Sequence, residues 1–382
     1  MNTIKSNLVD ACIVVTITLA MLAGLEIAAR LVKQVRDIMY PSNVASPENA
    51  ILHKQIWGKQ HQIDAAGESA MHVTYVEFRE KPYASTTLNI DSEGRRWVPG
   101  SCEKNDAFTV FTFGGSTMYG AGVPDQYTIP AYFAELLNRE GRCIKVVNYG
   151  SGWWQSSQSL IQLIEVLKKG IRPQLVIFYD GINEVNAVAY GGTPGGIDPE
   201  AEAALKRALD SDNRSVWNSI AQHSLIVRAL TRRLFPGHQK TAHNEYSVPE
   251  ADRLGYASAL VNVYATNVRT VDALAREYGF AAYFFLQPCP MIARKNNSVL
   301  EEAVFRERAK NRKWEADFFR LSYSIFRRNP YLASNAKYHD ISGIFDGMTA
   351  ELFQDSEHLL PEGNRIVAER IAQEIVRHLP AI

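Results

Sequence analysis

From Phe108 onward the chain alternates short apolar runs with amphipathic segments of helical period, and this alternation restricts what it can fold into. Apolar runs at residues 108–113, 144–148, 175–179, 281–286 and 338–341 read as strands. Between and after them, residues 126–138, 158–169, 257–278 and 363–378 repeat apolar positions at helical spacing, with Gly279 as a stop signal for the third. Five strands joined through helices predict a parallel sheet covered by helices on both faces. Such a sheet gathers its strand ends into one crevice, so residues far apart in sequence can share a site there.

The 382 residues fit two domains or one large α/β domain with insertions. The sheet-forming domain is expected over residues 107–382, interrupted by inserts at 186–252 and 291–330. Both inserts follow strand ends, where long loops commonly form lids or substrate walls. Residues 31–106 read as a linker and an accessory segment, with alternating strand-like stretches at 72–78 and around Asn89. Residues 8–30 read as a transmembrane helix, because Glu26 is the only charge between positions 11 and 28. A cleaved signal peptide or a buried helix are the alternatives; the sequence after Leu25 stays amphipathic and favours an uncleaved anchor. That reading implies a single-pass membrane protein with an extracytoplasmic domain, although Arg30, Lys33 and Arg36 after the span argue for the opposite orientation.

Lys plus Arg equals Asp plus Glu at 41 each, and no basic run stands out, so electrostatics gives no reason to expect nucleic acid as a partner. Four cysteines are too few for a disulfide scaffold. Cys102 and Cys143 each precede a predicted strand, and both a bridge and two free thiols fit. No Cys-x-x-Cys or His/Cys cluster suggests zinc.

Four short segments carry the chemistry. Gly114-Gly115-Ser116-Thr117 follows the first strand, where two glycines permit a sharp turn and a close backbone approach. It is neither a P-loop, a G-x-S-x-G elbow nor a dinucleotide fingerprint. Asn148-Tyr149-Gly150 follows the second strand and Asp180-Gly181-Ile182-Asn183-Glu184 the third. Asp355-Ser356-Glu357-His358 precedes the last helix. A serine hydroxyl is a weak nucleophile until a base takes its proton, and His358 is a suitable base with Asp355 three residues away to orient it. Gly150 N–H and the Asn183 amide are candidate donors to a developing oxyanion. Asp180 and Glu184 are expected to hold loops. Tyr119, Trp153 and Trp154 follow strand ends and are candidates for stacking on a sugar or holding an acyl chain.

In order and spacing these segments resemble the four blocks of the SGNH (GDSL-like) hydrolase superfamily, over most of the chain from Phe108 to His378. Gly115 stands where many members carry Asp, and Glu184 stands at the last position of the Gly-x-Asn-Asp block. The resemblance implies a flavodoxin-like three-layer α/β/α sandwich, without metal or cofactor. It implies Ser116 as nucleophile, His358 as base and Asp355 as orienter, with Ser116 N–H, Gly150 N–H and the Asn183 amide as the oxyanion hole. The anchor and extension are similar to bacterial envelope members of the group, some linked to polysaccharide O-acetylation or deacetylation. The expected activity is ester hydrolysis on an acylated glycan. Acyl transfer from the same site and an inactive membrane-anchored binding protein are the alternatives.

Overall fold

The computed structural model describes residues 2–39, 46–139, 141–212, 224, 247–310, 312–376 and 379. The chain divides into two compact units, Met1–Ala45 with Leu209–Ala242, and Ser46–Ala208 with His243–Ile382.

The larger unit is built on five parallel strands: β5 (Phe108–Gly114), β6 (Ile144–Asn148), β7 (Leu175–Asp180), β8 (Ala281–Leu286) and β9 (Tyr338–Asp340). Their spatial order is β6-β5-β7-β8-β9. The first of the five therefore lies between the second and third, which is the flavodoxin-like doubly wound order. Strand periodicity sorts the side chains to two faces. Phe111, Phe113, Val176, Phe178, Ala282 and Phe284 face one core, shared with helices Ser156–Lys168, Arg253–Tyr278 and Lys313–Arg328. Val110, Leu175, Ile177, Tyr179, Tyr283 and Phe285 face the other, shared with Ile129–Arg139 and Pro361–Ile375. Burial on both faces explains why β7 is apolar along nearly its whole length. Strand order reverses at β5, so the crevice opens at the carboxyl ends of β5 and β7.

The segment before β5 belongs to this unit. It contains helices Pro47–His53 and Gly58–Ala65, a hairpin of β1 (Ala70–Val73) with β2 (Glu77–Glu80), and a pair of β3 (Tyr83–Ala84) with β4 (Asn89–Ile90). The strand expected at 72–78 is instead a tight turn between two strands, with Tyr75 and Glu77 both at φ 74°. A buried ion pair, Arg96 to Asp125 at 2.8 Å, fixes the segment to the sheet domain. Cys102 and Cys143 form a disulfide at the entry to β5 and β6, with Cα atoms 5.3 Å apart. The insert at 291–330 forms helices Val299–Ala309 and Lys313–Arg328. Of the insert at 186–252, residues 213–223 and 225–246 lie outside the described residues, as do 377 and 378 of the final helix.

The expected membrane anchor over residues 8–30, and the single-pass extracytoplasmic placement drawn from it, are overturned. The smaller unit holds one continuous helix, Asn2–Met39, yet among the described residues no helix is long and apolar enough to cross a membrane. Between Asp10 and Glu26 lie 15 uncharged residues (26 − 10 − 1). They rise only ~22 Å, short of the ~30 Å of a hydrocarbon core. Glu26 then pairs with Arg30 at 3.0 Å and accepts the Ser224 hydroxyl at 2.8 Å, as in a helix with a polar face.

Candidate active site

The turn after β5 sets the geometry. Gly114 has φ 154°, and a Cβ there would sit 2.4 Å from the Tyr179 carbonyl oxygen on β7. A Cβ on Gly115 would sit 2.2 Å from Asn183 Nδ2. These two contacts let Ser116 open the short helix Ser116–Tyr119 directly beneath the end of β7. Its N–H lies in a first turn, where intrahelical bonding leaves donors unsatisfied.

Ser116 Oγ lies 2.8 Å from His358 Nε2, across 242 residues of chain. His358 Nδ1 lies 2.7 Å from Asp355 Oδ2. Asp355 Oδ1 accepts the backbone N–H groups of Glu357 at 2.8 Å and His358 at 2.7 Å. A carboxylate acceptor places the imidazole proton on Nδ1, which leaves Nε2 to accept the serine proton. Burial works against the His358 charge, but Asp355 and then Glu357 outweigh it and push the pKa up to about 9. Burial likewise opposes ionisation of Asp355, and the facing imidazole with the two N–H donors holds its pKa below the usual carboxylate range.

The loop that carries Asp355 and His358 is closed by Gln354 N–H donating to the His358 carbonyl (3.0 Å) and Leu360 N–H to Leu352 (2.8 Å). Arg308, from the insert helix Val299–Ala309, grips it from outside. Its guanidinium donates to Ser356 Oγ, to Glu357 Oε1 at 2.7 Å and to Glu315 Oε1 at 2.8 Å. It also donates to Asn186 Oδ1 at 3.2 Å and to the Tyr190 hydroxyl at 3.1 Å, both at the end of helix Ile182–Ala189. Sequence reasoning missed Arg308, because one arginine in a charged helical insert carries no distinguishing signal.

Asn183 is buried beside Gly115, and one N–H of its amide donates to the Trp154 carbonyl at 2.8 Å. The second amide hydrogen is the donor available to a ligand. Gly150 needs correction. Its N–H is committed to Asn148 Oδ1 at 2.9 Å, while Asn148 Nδ2 donates to Met118 O at 3.1 Å. The Asn148 carboxamide thus locks the second segment to the serine helix, leaving Ser116 N–H and Asn183 Nδ2 as the candidate oxyanion donors. Glu184 accepts Gly181 N–H at 2.9 Å and Ser156 N–H at 2.7 Å, so it holds the loops around Asn183. The Asp180 carboxyl group is buried with no hydrogen-bond partner among the described residues, and burial together with Glu184 raises its pKa well above normal.

A cavity of about 500 Å³ opens over Ser116, His358 and Asn183. Its far walls come from outside the central sheet: Glu68, Phe78 and Glu80 from the accessory segment, Asp198 and Glu200 from the insert. Tyr119 lines it, with its hydroxyl donating to Glu68 Oε1 at 2.5 Å. Trp153 lines it as well, 44% exposed and edge-on to Phe78. Trp154 does not belong with them. Its ring is fully buried, its indole N–H donates to Phe78 O at 3.2 Å, and Arg79 stacks over it at 5.0 Å. Trp153 takes φ 56°, and the chain turns the two indoles to different environments. Among the described residues no cluster of three or more His, Cys, Asp or Glu side chains is arranged to hold a metal ion.

No family model matches this chain, and no curated protein matches it. Solved structures similar to it include an acetyl xylan esterase (14% identity, 70% of this chain and 99% of that one, TM-score 0.33). Others are a carbohydrate acetylesterase family member from Sinorhizobium meliloti (14%, 71% and 97%, TM-score 0.34) and a GDSL-like lipase from Bacteroides thetaiotaomicron (13%, 71% and 89%, TM-score 0.33). Likenesses at this level carry no argument about chemistry, which rests on the geometry above.

Proposed function

We propose that this chain is a serine esterase that cleaves small O-acyl groups from a polar, sugar-like alcohol. One observation carries the reading: Ser116 Oγ, His358 and Asp355 form a continuous hydrogen-bonded relay of 2.8 and 2.7 Å at the floor of a cavity. A working base must stand within such reach of the proton it takes.

Ser116 Oγ bonds to the ester carbonyl carbon while its proton passes to His358 Nε2. Asp355 stabilises the imidazolium through Nδ1–H without itself taking the proton. The carbonyl π electrons move to oxygen, where Ser116 N–H and Asn183 Nδ2 meet the developing charge. Collapse breaks the bond to the alcohol oxygen, which leaves with the proton from Nε2. Water then repeats the sequence on the acyl-enzyme and frees the acid. The exposed face of Trp153 supports a sugar-like alcohol, because aromatic rings with one wet face pack on such surfaces.

The test compares full-length protein with Ser116→Ala on p-nitrophenyl acetate, alongside labelling by a fluorophosphonate. A loss of about 10³-fold or more on substitution, with labelling only when Ser116 and His358 are both present, is the expected result. Equal rates in the two proteins would remove the proposal.

A further inference from the structure

The helix that carries Ser116 is four residues long, Ser116–Tyr119, too short to persist on its own hydrogen bonds. The turn that follows fixes its end. Gly120 and Ala121 both donate their backbone N–H to the Ser116 carbonyl, at 2.8 and 2.9 Å. What holds residues 120–123 therefore also holds Ser116.

Two side chains from distant parts of the sequence hold that turn. Arg96, from the segment before β5, is buried, and each of its three guanidinium nitrogens has a partner. One N–H donates to the Gly120 carbonyl, another to the Val123 carbonyl at 2.6 Å, and Nε to Asp125 Oδ1 at 2.8 Å. The guanidinium also stands 5.2 Å from the centre of the Tyr119 ring. Between the two carbonyls that Arg96 grips, the Ala121 carbonyl accepts Gln354 Nε2–H at 3.1 Å. Gln354 precedes Asp355, and its own backbone N–H donates to the His358 carbonyl at 3.0 Å. Gly122, at φ 80°, makes this approach possible, because a Cβ there would sit 1.7 Å from Gln354 Nε2. Hydrogen bonds thus run from the Arg96 turn to Ser116 in one direction and to His358 in the other.

Resting on the esterase reading, we infer that Arg96 is a positioning residue for nucleophile and base together: by organising residues 120–123 it sets the distance across which Ser116 hands its proton to His358. Gln354 carries that setting to the base. The segment before the sheet is then part of the catalytic unit as well as a wall of the cavity. Lysine cannot take the place of Arg96, because one ammonium nitrogen cannot serve three acceptors laid out for a planar fork.

The test compares full-length protein with Arg96→Lys, Gln354→Met and the double variant. Gln354→Met keeps the side-chain length and removes one donor, so it decides the matter alone if Arg96→Lys does not fold. On p-nitrophenyl acetate, kcat should fall about 10²-fold in Arg96→Lys and about tenfold in Gln354→Met, the scale of a displacement of an ångström or less. KM should stay within about twofold, since neither residue is among the described residues lining the cavity. The double variant should lose little more than Arg96→Lys, because both side chains act through one turn. Unchanged kcat in Gln354→Met, a loss carried by KM, or single losses that multiply in the double variant would each overturn the inference. Amide hydrogen exchange over residues 116–123 and 354–358 supplies a readout that needs no turnover. Faster exchange of both segments in Gln354→Met supports the coupling even if the parent protein cleaves no ester, in which case the esterase reading alone fails. Unchanged exchange in either segment overturns the coupling.

Discussion

Replacing Arg308 with methionine tests how the reactive loop is held. The guanidinium makes contacts to Glu315, Glu357, Ser356, Asn186 and Tyr190, all within one side chain's reach. Methionine keeps much of the stem volume and removes every donor. Glu315, whose side chain is only 2% exposed, then loses its closest cation, with Arg312 Nε left at 3.5 Å as a partial substitute. Breaking a buried pair from one side costs about 3–5 kcal/mol, and the remaining arginine places this case near the lower end. For a unit of about 300 residues, a loss of about 3 kcal/mol corresponds to a fall in Tm of roughly 5 °C. Function should fall as well, because Ser356 and Glu357 sit between Asp355 and His358. A displacement of the imidazole by an ångström slows fluorophosphonate labelling by about 10²-fold. Removing the Arg308 charge also removes an influence that lowers the His358 pKa, so the rate–pH midpoint should move upward. Thermal unfolding and labelling rates across pH would be measured for Arg308→Met, Arg308→Lys and Arg308→Met/Glu315→Gln. The double variant should regain part of the stability by removing the stranded charge, but not the labelling rate. A single variant within about 0.5 kcal/mol of the parent protein, or a double variant no more stable than the single, would refute the reasoning.

Three further outcomes follow from the site. With His358 at a pKa of about 9, the neutral base is scarce at pH 7, so kcat/KM should climb through pH 9, with about 1% of its plateau at neutrality. The same raised pKa adds stability that is full below the ordinary histidine value of 6.5 and is lost as pH rises through about 9. A profile already flat from pH 7 would contradict both. Gly115→Ala places a methyl group against Asn183 Nδ2 and should cost about 10²–10³-fold in kcat, the usual loss for one oxyanion donor. Combining it with Asn183→Ala should cost little more than Asn183→Ala alone, and additive losses in the double variant would show that Gly115 acts elsewhere.

Much of this architecture is legible in the residues because burial on two faces leaves few options. The runs that became β5, β7 and β8 are apolar along their length, and their ends place Ser116 and Asn183 beside one crevice. His358 was readable because Asp355 lies one turn away and the two reach the same side. What escaped depends on contacts that no local pattern encodes. Gly150 occupies the expected loop, yet its N–H is taken by a side chain two residues back. Trp153 and Trp154 are neighbours of identical type, and only the positive φ at the first decides which is wet. The N-terminal helix misleads for a different reason: hydropathy registers its apolar run, while the polar contacts of Glu26 end that run too early for a span. The hairpin at 70–80 alternates like one strand, and the turn at Tyr75 breaks it.

Glu80 lies on β2, far before the sheet in sequence, but it grasps Ser151 and Gly152 immediately beyond β6. The hairpin is therefore a hand laid on the rim of the crevice, and its sequence can drift without disturbing any strand that carries the reacting groups. Selectivity in such a protein is free to evolve from its front end while the proposed triad stays fixed, so exchanging residues 70–80 between chains of this plan should shift substrate preference while leaving Ser116, His358 and Asp355 untouched.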